Sequence, residues 1–154
     1  MNAIFQGCKE LKSLDLSNYN TSKVINMEAM FNDCKLIKEI KGLTNFTTNN
    51  VTNMRGMFQE CNELISLDLS NYNTSKVSNM SLMFNECHNL KEIKGLEKFD
   101  TNKVENMIAI FQGCNEIKIL DLTNFDSSNV NNMECMFAQC FKSKNIKGLV
   151  KLQI

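Results

Sequence analysis

The motif Phe-x-x-Cys recurs along this chain, at Phe5/Cys8, Phe31/Cys34, Phe58/Cys61, Phe84/Cys87, Phe111/Cys114 and Phe137/Cys140. Successive copies lie 26, 27, 26, 27 and 26 residues apart, so two unit types alternate with a super-period of 53 residues. A fixed period in this range marks an architecture in which no unit closes a core alone and stacking makes a continuous one. The odd units are 5–30, 58–83 and 111–136, the even units 31–57 and 84–110, and a partial unit covers 137–154. They are expected to form a single solenoid of stacked units over residues 1–154. The stretch Met1–Cys8 aligns with Met107–Cys114, and the last unit stops shortly after Gly148-Leu149. The array therefore reads as uncapped at both ends, a fragment of a longer one, with end-to-end self-association as an expectation.

Within a unit the apolar period changes once. Met27, Met30, Phe31 and Cys34 stand at i, i+3, i+4 and i+7, the spacing of one helix face. Asn26 precedes them where an N-cap belongs, and Asn53, Asn79, Asn106 and Asn132 repeat it. Such a helix is too short to stand alone. The pattern then alternates, as in Leu14-Asp15-Leu16, Leu67-Asp68-Leu69 and Leu120-Asp121-Leu122, which reads as a short strand. A polar turn such as Asn18-Tyr19-Asn20-Thr21-Ser22 follows, rich in residues that bond their own backbone. The fold class is an α/β repeat, a leucine-rich-repeat-like solenoid with one short parallel strand and one short helix per unit.

Residues between the strand's apolar positions point away from the core. One outward column reads Asp15, Lys41, Asp68, Lys94, Asp121 and Lys147; its neighbour reads Ser13, Glu39, Ser66, Glu92, Ile119 and Asn145. Charge alternates because the unit type alternates, so adjacent strands are expected to set Asp beside Lys. Two readings stand. The ladder relieves like-charge repulsion on a solvated sheet, each exposed pair contributing only ~0.2–1 kcal/mol. Alternatively this face binds a ligand, as repeat solenoids commonly do, through Ser13, Asp15, Glu39, Lys41, Ser66, Asp68, Glu92, Lys94, Asp121 and Lys147. The extra residue of the even units, in Ile40-Lys41-Gly42-Leu43, introduces a bulge that would shift the column.

The repeat cysteines lack a Cys-x-x-Cys pair, and a stack sets them in a line instead of a tetrahedron. They read as small buried hydrophobes, although neighbours in a stack fall within reach of a disulfide. Cys135 stands where other units have Ala29, Gly56, Leu82 and Ala109, and also reads as packing. The helix-spaced methionines read as core, and His88 as an exposed polar position. No Ser-His-Asp set, carboxylate pair or phosphate loop appears. The chain is expected to be no enzyme and to hold neither metal nor cofactor. The 17 basic and 17 acidic residues cancel, which argues against nucleic acid and anionic membranes as partners. No apolar run is long enough for membrane insertion. Asn20, Asn45, Asn50, Asn73 and Asn79 head Asn-x-Ser/Thr sequons, of consequence only in a eukaryotic secretory pathway.

The segment NYNTSKVSNMSLMFNECHNLKEI (71–93) resembles the BspA-type leucine-rich repeats, and more narrowly a mycoplasma-type repeat family of unknown function. Thr74, Ser75, Val77, Asn79, Met80, Met83, Phe84 and Cys87 match its pattern, and Leu11, Leu14, Asp15, Leu16 and Ser17 match its strand. The resemblance covers nearly the whole chain. It implies a surface-exposed or secreted protein whose partner is a host matrix or cell-surface protein, with no catalytic residues to carry over. The N-terminus shows no signal peptide or anchor, and free thiols suit the reducing cytoplasm. The alternative is therefore an intracellular protein-interaction scaffold.

Overall fold

The computed structural model describes residues 1–149; residues 150–154 of the final unit lie outside the described residues. Each unit forms one coil of a stack, and each coil contributes one three-residue strand: β1 (Ser13–Asp15), β2 (Glu39–Lys41), β3 (Ser66–Asp68), β4 (Glu92–Lys94), β5 (Ile119–Asp121) and β6 (Asn145–Lys147). The strands are parallel, as expected, but they pair two by two instead of forming one sheet. β1 pairs with β2, β3 with β4 and β5 with β6, always an odd strand with the even strand after it.

The expected helix is absent. Its segment is a run of tight turns. In the second coil Met30 N–H donates to Met27 O and Cys34 N–H to Phe31 O, with Ala29 and Asp33 held at φ 53° and 62°. The alternate amides leave the coil: Met27, Ala29, Phe31 and Asp33 N–H donate to the carbonyls of Asn53, Arg55, Met57 and Gln59 in the next one, at 2.8–2.9 Å. An α-helix would keep the Phe31 and Asp33 donors for itself. It would also not fit: a helix is ~10–12 Å across, whereas the phenylalanines of successive coils stack face to face at 5.5–6.0 Å from Phe5 through Phe31, Phe58, Phe84 and Phe111 to Phe137. The helical apolar spacing correctly marks Met27, Met30, Phe31 and Cys34 as inward, since all four are fully buried. It says nothing of where their amides bond.

Asn26, Asn53, Asn79, Asn106 and Asn132 form parallel bridges from coil to coil on this side. Each side-chain oxygen accepts the N–H two residues on, at 2.7–3.0 Å, which is the bond an N-cap makes but here opens a turn. The polar turn after the strand also hides an inward column, Thr21, Thr48, Thr74, Thr101 and Ser127, all nearly inaccessible. Thr74 Oγ1 donates to Asp100 O and accepts Asp100 N–H, both at 2.8 Å. Thr21, Thr48 and Thr101 clip their next coils in the same way.

The extra residue of the even units falls immediately after the strand, so the expected shift of the outward column does not occur. At Gly95 the chain takes φ 87° and starts a 3-10 turn, Leu96–Lys98. A Cβ on Gly95 would sit 2.5 Å from Ser70 Cα, so only glycine lets the even coil close on the odd coil before it. Gly42 and Gly148 make the same approach to Leu16-Ser17 and Leu122-Thr123.

Replacing Thr74 by Val is expected to lower stability by about 1–3 kcal/mol, because it leaves the Asp100 amide buried without a partner. Thr74→Ser, the residue Ser127 already supplies, should cost less than half of that. Urea denaturation followed by circular dichroism checks both.

Candidate sheet-face site

The strand centres Leu14, Ile40, Leu67, Ile93, Leu120 and Ile146 pack on the core. Their flanking residues turn outward together. Ser13, Asp15, Glu39, Lys41, Ser66, Glu92, Lys94 and Lys147 are exposed, and Asp68 and Asp121 are half-buried. The register sets Ser13 beside Glu39, Asp15 beside Lys41, Ser66 beside Glu92, Asp68 beside Lys94 and Asp121 beside Lys147. Interleaving of Asp with Lys therefore holds within each strand pair. Of these pairs only Lys147–Asp121 closes to an ion pair, at 3.5 Å; Lys41 lies 3.8 Å from Glu39 instead.

The aspartates are occupied elsewhere. Asp15 Oδ1 accepts Ser17 N–H, Asp68 Oδ1 accepts the N–H and hydroxyl of Ser70, and Asp121 Oδ1 does the same with Thr123. These bonds close the turn that leaves the strand. They hold all three carboxyls below the ordinary value of 3.8, with the Ser or Thr side-chain bond as the largest cause and the lysines a smaller one.

Between the strand pairs the face opens. A groove of about 390 Å³ runs between β4 and β5, lined by Lys91, Glu92, Ile93, Leu96, Lys118 and Ile119 among others. A second, of about 280 Å³, is lined by Lys38, Glu63, Ile65, Asn89, Lys91 and Glu116. A larger groove of about 570 Å³ lies on the turn between strand and turn run, but its walls are polar. There Asn129 Nδ2 donates to Asn102 O at 2.7 Å, and Lys76 Nζ donates to Asn50 Oδ1 at 3.1 Å.

One column escaped the sequence reading. Immediately before the strands stand Lys12, Lys38, Ile65, Lys91, Lys118 and Lys144, all exposed. Among the described residues none of these lysines forms an ion pair. The signal was present in the repeat alignment, one position upstream of the columns that alternation singled out.

Apart from exposed Cys8, the repeat thiols are packed and bonded. Cys34, Cys61, Cys87, Cys114 and Cys140 each donate to the carbonyl of the phenylalanine 29 or 30 residues earlier, at 3.0–3.2 Å. Burial pushes the Cys34 thiol up to about 11 and raises those of Cys61, Cys87 and Cys114 well above the ordinary value. Cys135, expected to pack, is exposed: it shares the positive-φ corner of Ala29, Leu82 and Ala109, but whereas Ala29 and Ala109 are buried in inner coils, Cys135 lies near the end of the described stack. His88 is half-buried, not simply exposed, with Nδ1 3.1 Å from Gly113 O and Nε2 3.5 Å from Glu86. Among the described residues no three His, Cys, Asp or Glu side chains gather as a metal site. No helix of these residues is long and apolar enough to cross a membrane.

The family described as "Mycoplasma protein of unknown function, DUF285" matches residues 1–95 and 64–149. The chain belongs to this family. Its fold is similar to that of a leucine-rich repeat protein from Bacteroides ovatus, with 19% identity and a TM-score of 0.54 over 96% of this chain. The chain spans 40% of the length of that protein. No curated protein matches it.

Two outcomes follow. Of the seven thiols, exposed Cys8 and Cys135 should react rapidly with Ellman's reagent, and half-buried Cys140 more slowly. Cys34, Cys61, Cys87 and Cys114 should react only on unfolding. Secondly, the carboxyls of Asp15, Asp68 and Asp121 titrate lower in the fold than in the unfolded chain. Their stabilisation is complete above the unfolded value and lost as pH falls through the folded one. The melting temperature should therefore fall as the pH is taken below the ordinary aspartate value of 3.8, and fall less in a variant carrying Asp15→Asn, Asp68→Asn and Asp121→Asn.

Proposed function

We propose that this chain is a non-catalytic protein-binding solenoid that presents its sheet face to a host matrix or cell-surface protein, as part of a BspA-like surface protein. One observation carries the reading. Every coil commits its inward side chains to core columns and turns the residues flanking each strand centre outward on one face, in register with its pair partner. Such a surface varies freely without disturbing the core, which is how repeat stacks acquire ligands. Membership of a repeat family and the likeness to a leucine-rich repeat fold support it. The zero net charge favours a mixed-charge protein partner over a polyanion.

A second reading, an intracellular interaction scaffold, draws on the thiols. Cys34, Cys61, Cys87, Cys114 and Cys140 each donate a hydrogen bond to a carbonyl, a bond that only the reduced form makes. A reducing compartment preserves it.

Binding to immobilised extracellular-matrix proteins tests the first reading. Reversal of Lys41 and Lys94 to Glu on the sheet face should weaken saturable binding by about tenfold or more. Reversal of Lys23 and Lys103 on the turns should leave it unchanged. Equal binding by both variants, or no saturable binding to any matrix protein, would sink it.

A further inference from the structure

The first and last described coils present two different faces, and each offers what the other lacks. At the junction between the coils of β4 and β5, Leu82, Phe84 and Glu86 N–H donate to Ile108, Ile110 and Gln112 O at 2.7–3.0 Å. The counterparts of these donors in the last turn run are Cys135, Phe137 and Gln139, whose amides have no acceptor among the described residues. The counterparts of the acceptors are the carbonyls of Asn2, Ile4 and Gln6, which receive no amide among those residues.

The side chains follow the same pattern. Ile4 is 51% exposed, whereas Met30, Met57, Met83 and Ile110 in its column are fully buried. Met133 is half-buried where Met27, Met54, Met80 and Met107 are fully buried, and with Met136, Phe137 and Ala138 it lines an apolar pocket of about 230 Å³. Phe5 and Phe137 end the ring stack, each half-buried with one ring partner. Cys114 donates to Phe84 O across the β4–β5 junction, whereas Cys8 is exposed, and its counterpart acceptor is Phe137 O. Phe141, 78% exposed, stands in a column that otherwise holds Lys9, Lys35, Asn62, His88 and Asn115. A ring so open to water contributes little burial within the chain.

We propose that copies of this chain stack head to tail, the last turn run of one copy donating its Cys135, Phe137 and Gln139 amides to the Asn2, Ile4 and Gln6 carbonyls of the next. Phe137 then stacks on Phe5, Ile4 and Met133 are covered, and Phe141 lies beside Lys9. Column order sets Lys142 beside Glu10 and Lys147 beside Asp15. These lysines already pair with Glu116 and Asp121, and each would bridge two carboxylates as Lys35 bridges Asp33 and Glu60. Lys144 meets Lys12, as Lys118 follows Lys91 within the stack. The junction joins an even coil to an odd one, which β2 and β3, and β4 and β5, already do without strand pairing. Its two surfaces differ and do not close on themselves, so it builds an open filament. The proposal goes beyond the reading of the sheet face and stands whether or not that face binds a protein.

Sedimentation velocity over a concentration series tests it, with reductant present so that no disulfide joins the exposed thiols. The mean mass of the 154-residue chain should rise with concentration without a plateau at the dimer. Ile4→Arg blocks the first face and Met133→Arg the last, because the junction would bury an unpaired charge. Both side chains are partly open to water in the single chain, and melting curves verify that the fold is kept. Each variant alone should associate about tenfold or more weakly. An equimolar mixture of the two should form a dimer and grow no further, since one intact face of each kind remains. Reversal of Lys41 and Lys94 to Glu should leave association unchanged. In the unaltered chain, labelling of Cys8, followed by mass spectrometry of its peptide, should be rapid at dilution and slow as concentration rises. A monomer at every concentration, association indifferent to Ile4→Arg and Met133→Arg, or a mixture of the folded variants that stays monomeric overturns the proposal. So does growth in mass at constant Cys8 reactivity, which assigns association to another surface.

Discussion

The amides that leave each turn run for the next coil set the dimensions of the whole molecule. They hold neighbouring coils one backbone hydrogen bond apart on the side away from the strands, while the paired strands fix a similar spacing on the other. With the turn-run side pinned at this distance from coil to coil and the strand side pinned within each pair, each coil is one chain thick. Nothing wider than a turn fits, which is why no helix of four or more residues forms among the described residues. The left-handed corners at Ala29, Leu82 and Ala109, unfavourable by about 1–2 kcal/mol each, are the conformational cost of aiming alternate amides outward.

That spacing explains why chemically unrelated columns are each so uniform. A phenylalanine ring meets its next copy at stacking distance, about 0.5–1.5 kcal/mol per contact beyond its burial. A threonine hydroxyl meets the N–H and the C=O of one residue of the neighbouring coil, and a thiol meets one carbonyl. Each column solves one local problem and repeats the answer. Tyr72 is an exception: it takes a place that Phe46, Phe99 and Phe125 occupy in other coils, and its hydroxyl is buried without a partner. Burial alone drives that phenol's pKa far above its ordinary value.

Much of this was legible in the sequence. The repeat, the strands, their parallel order and the buried faces follow from apolar spacing, because spacing reports which side chains face inward. The turn run did not follow, since Met27, Met30, Phe31 and Cys34 fall inward on a helix and on alternating turns alike. The asparagines were right in kind and wrong in setting: Asn26 and its counterparts make the bond of an N-cap with no helix to cap. Thr74 was concealed by its polarity, as a buried hydroxyl column looks like a surface turn until the next coil's peptide is in place. On the sheet face, alternation drew attention to Asp15 and Lys41. The unalternating lysine column beside them carried no contrast, and its one interruption, Ile65, is informative only once exposure is known.

The pairing of strands by twos makes two coils, not one, the indivisible length of this molecule. Each even coil closes on the odd coil before it through a glycine such as Gly95, and meets the odd coil after it without strand pairing. Loss of 53 residues by recombination between repeats would reproduce a junction already present and pass unnoticed by the core. Loss of a single even coil would bring two odd strands together, with Asp beside Asp and no glycine to admit the close approach; loss of an odd coil would set Lys beside Lys. Arrays of this kind are thus free to lengthen and shorten over generations in even steps only, and their lengths should record it.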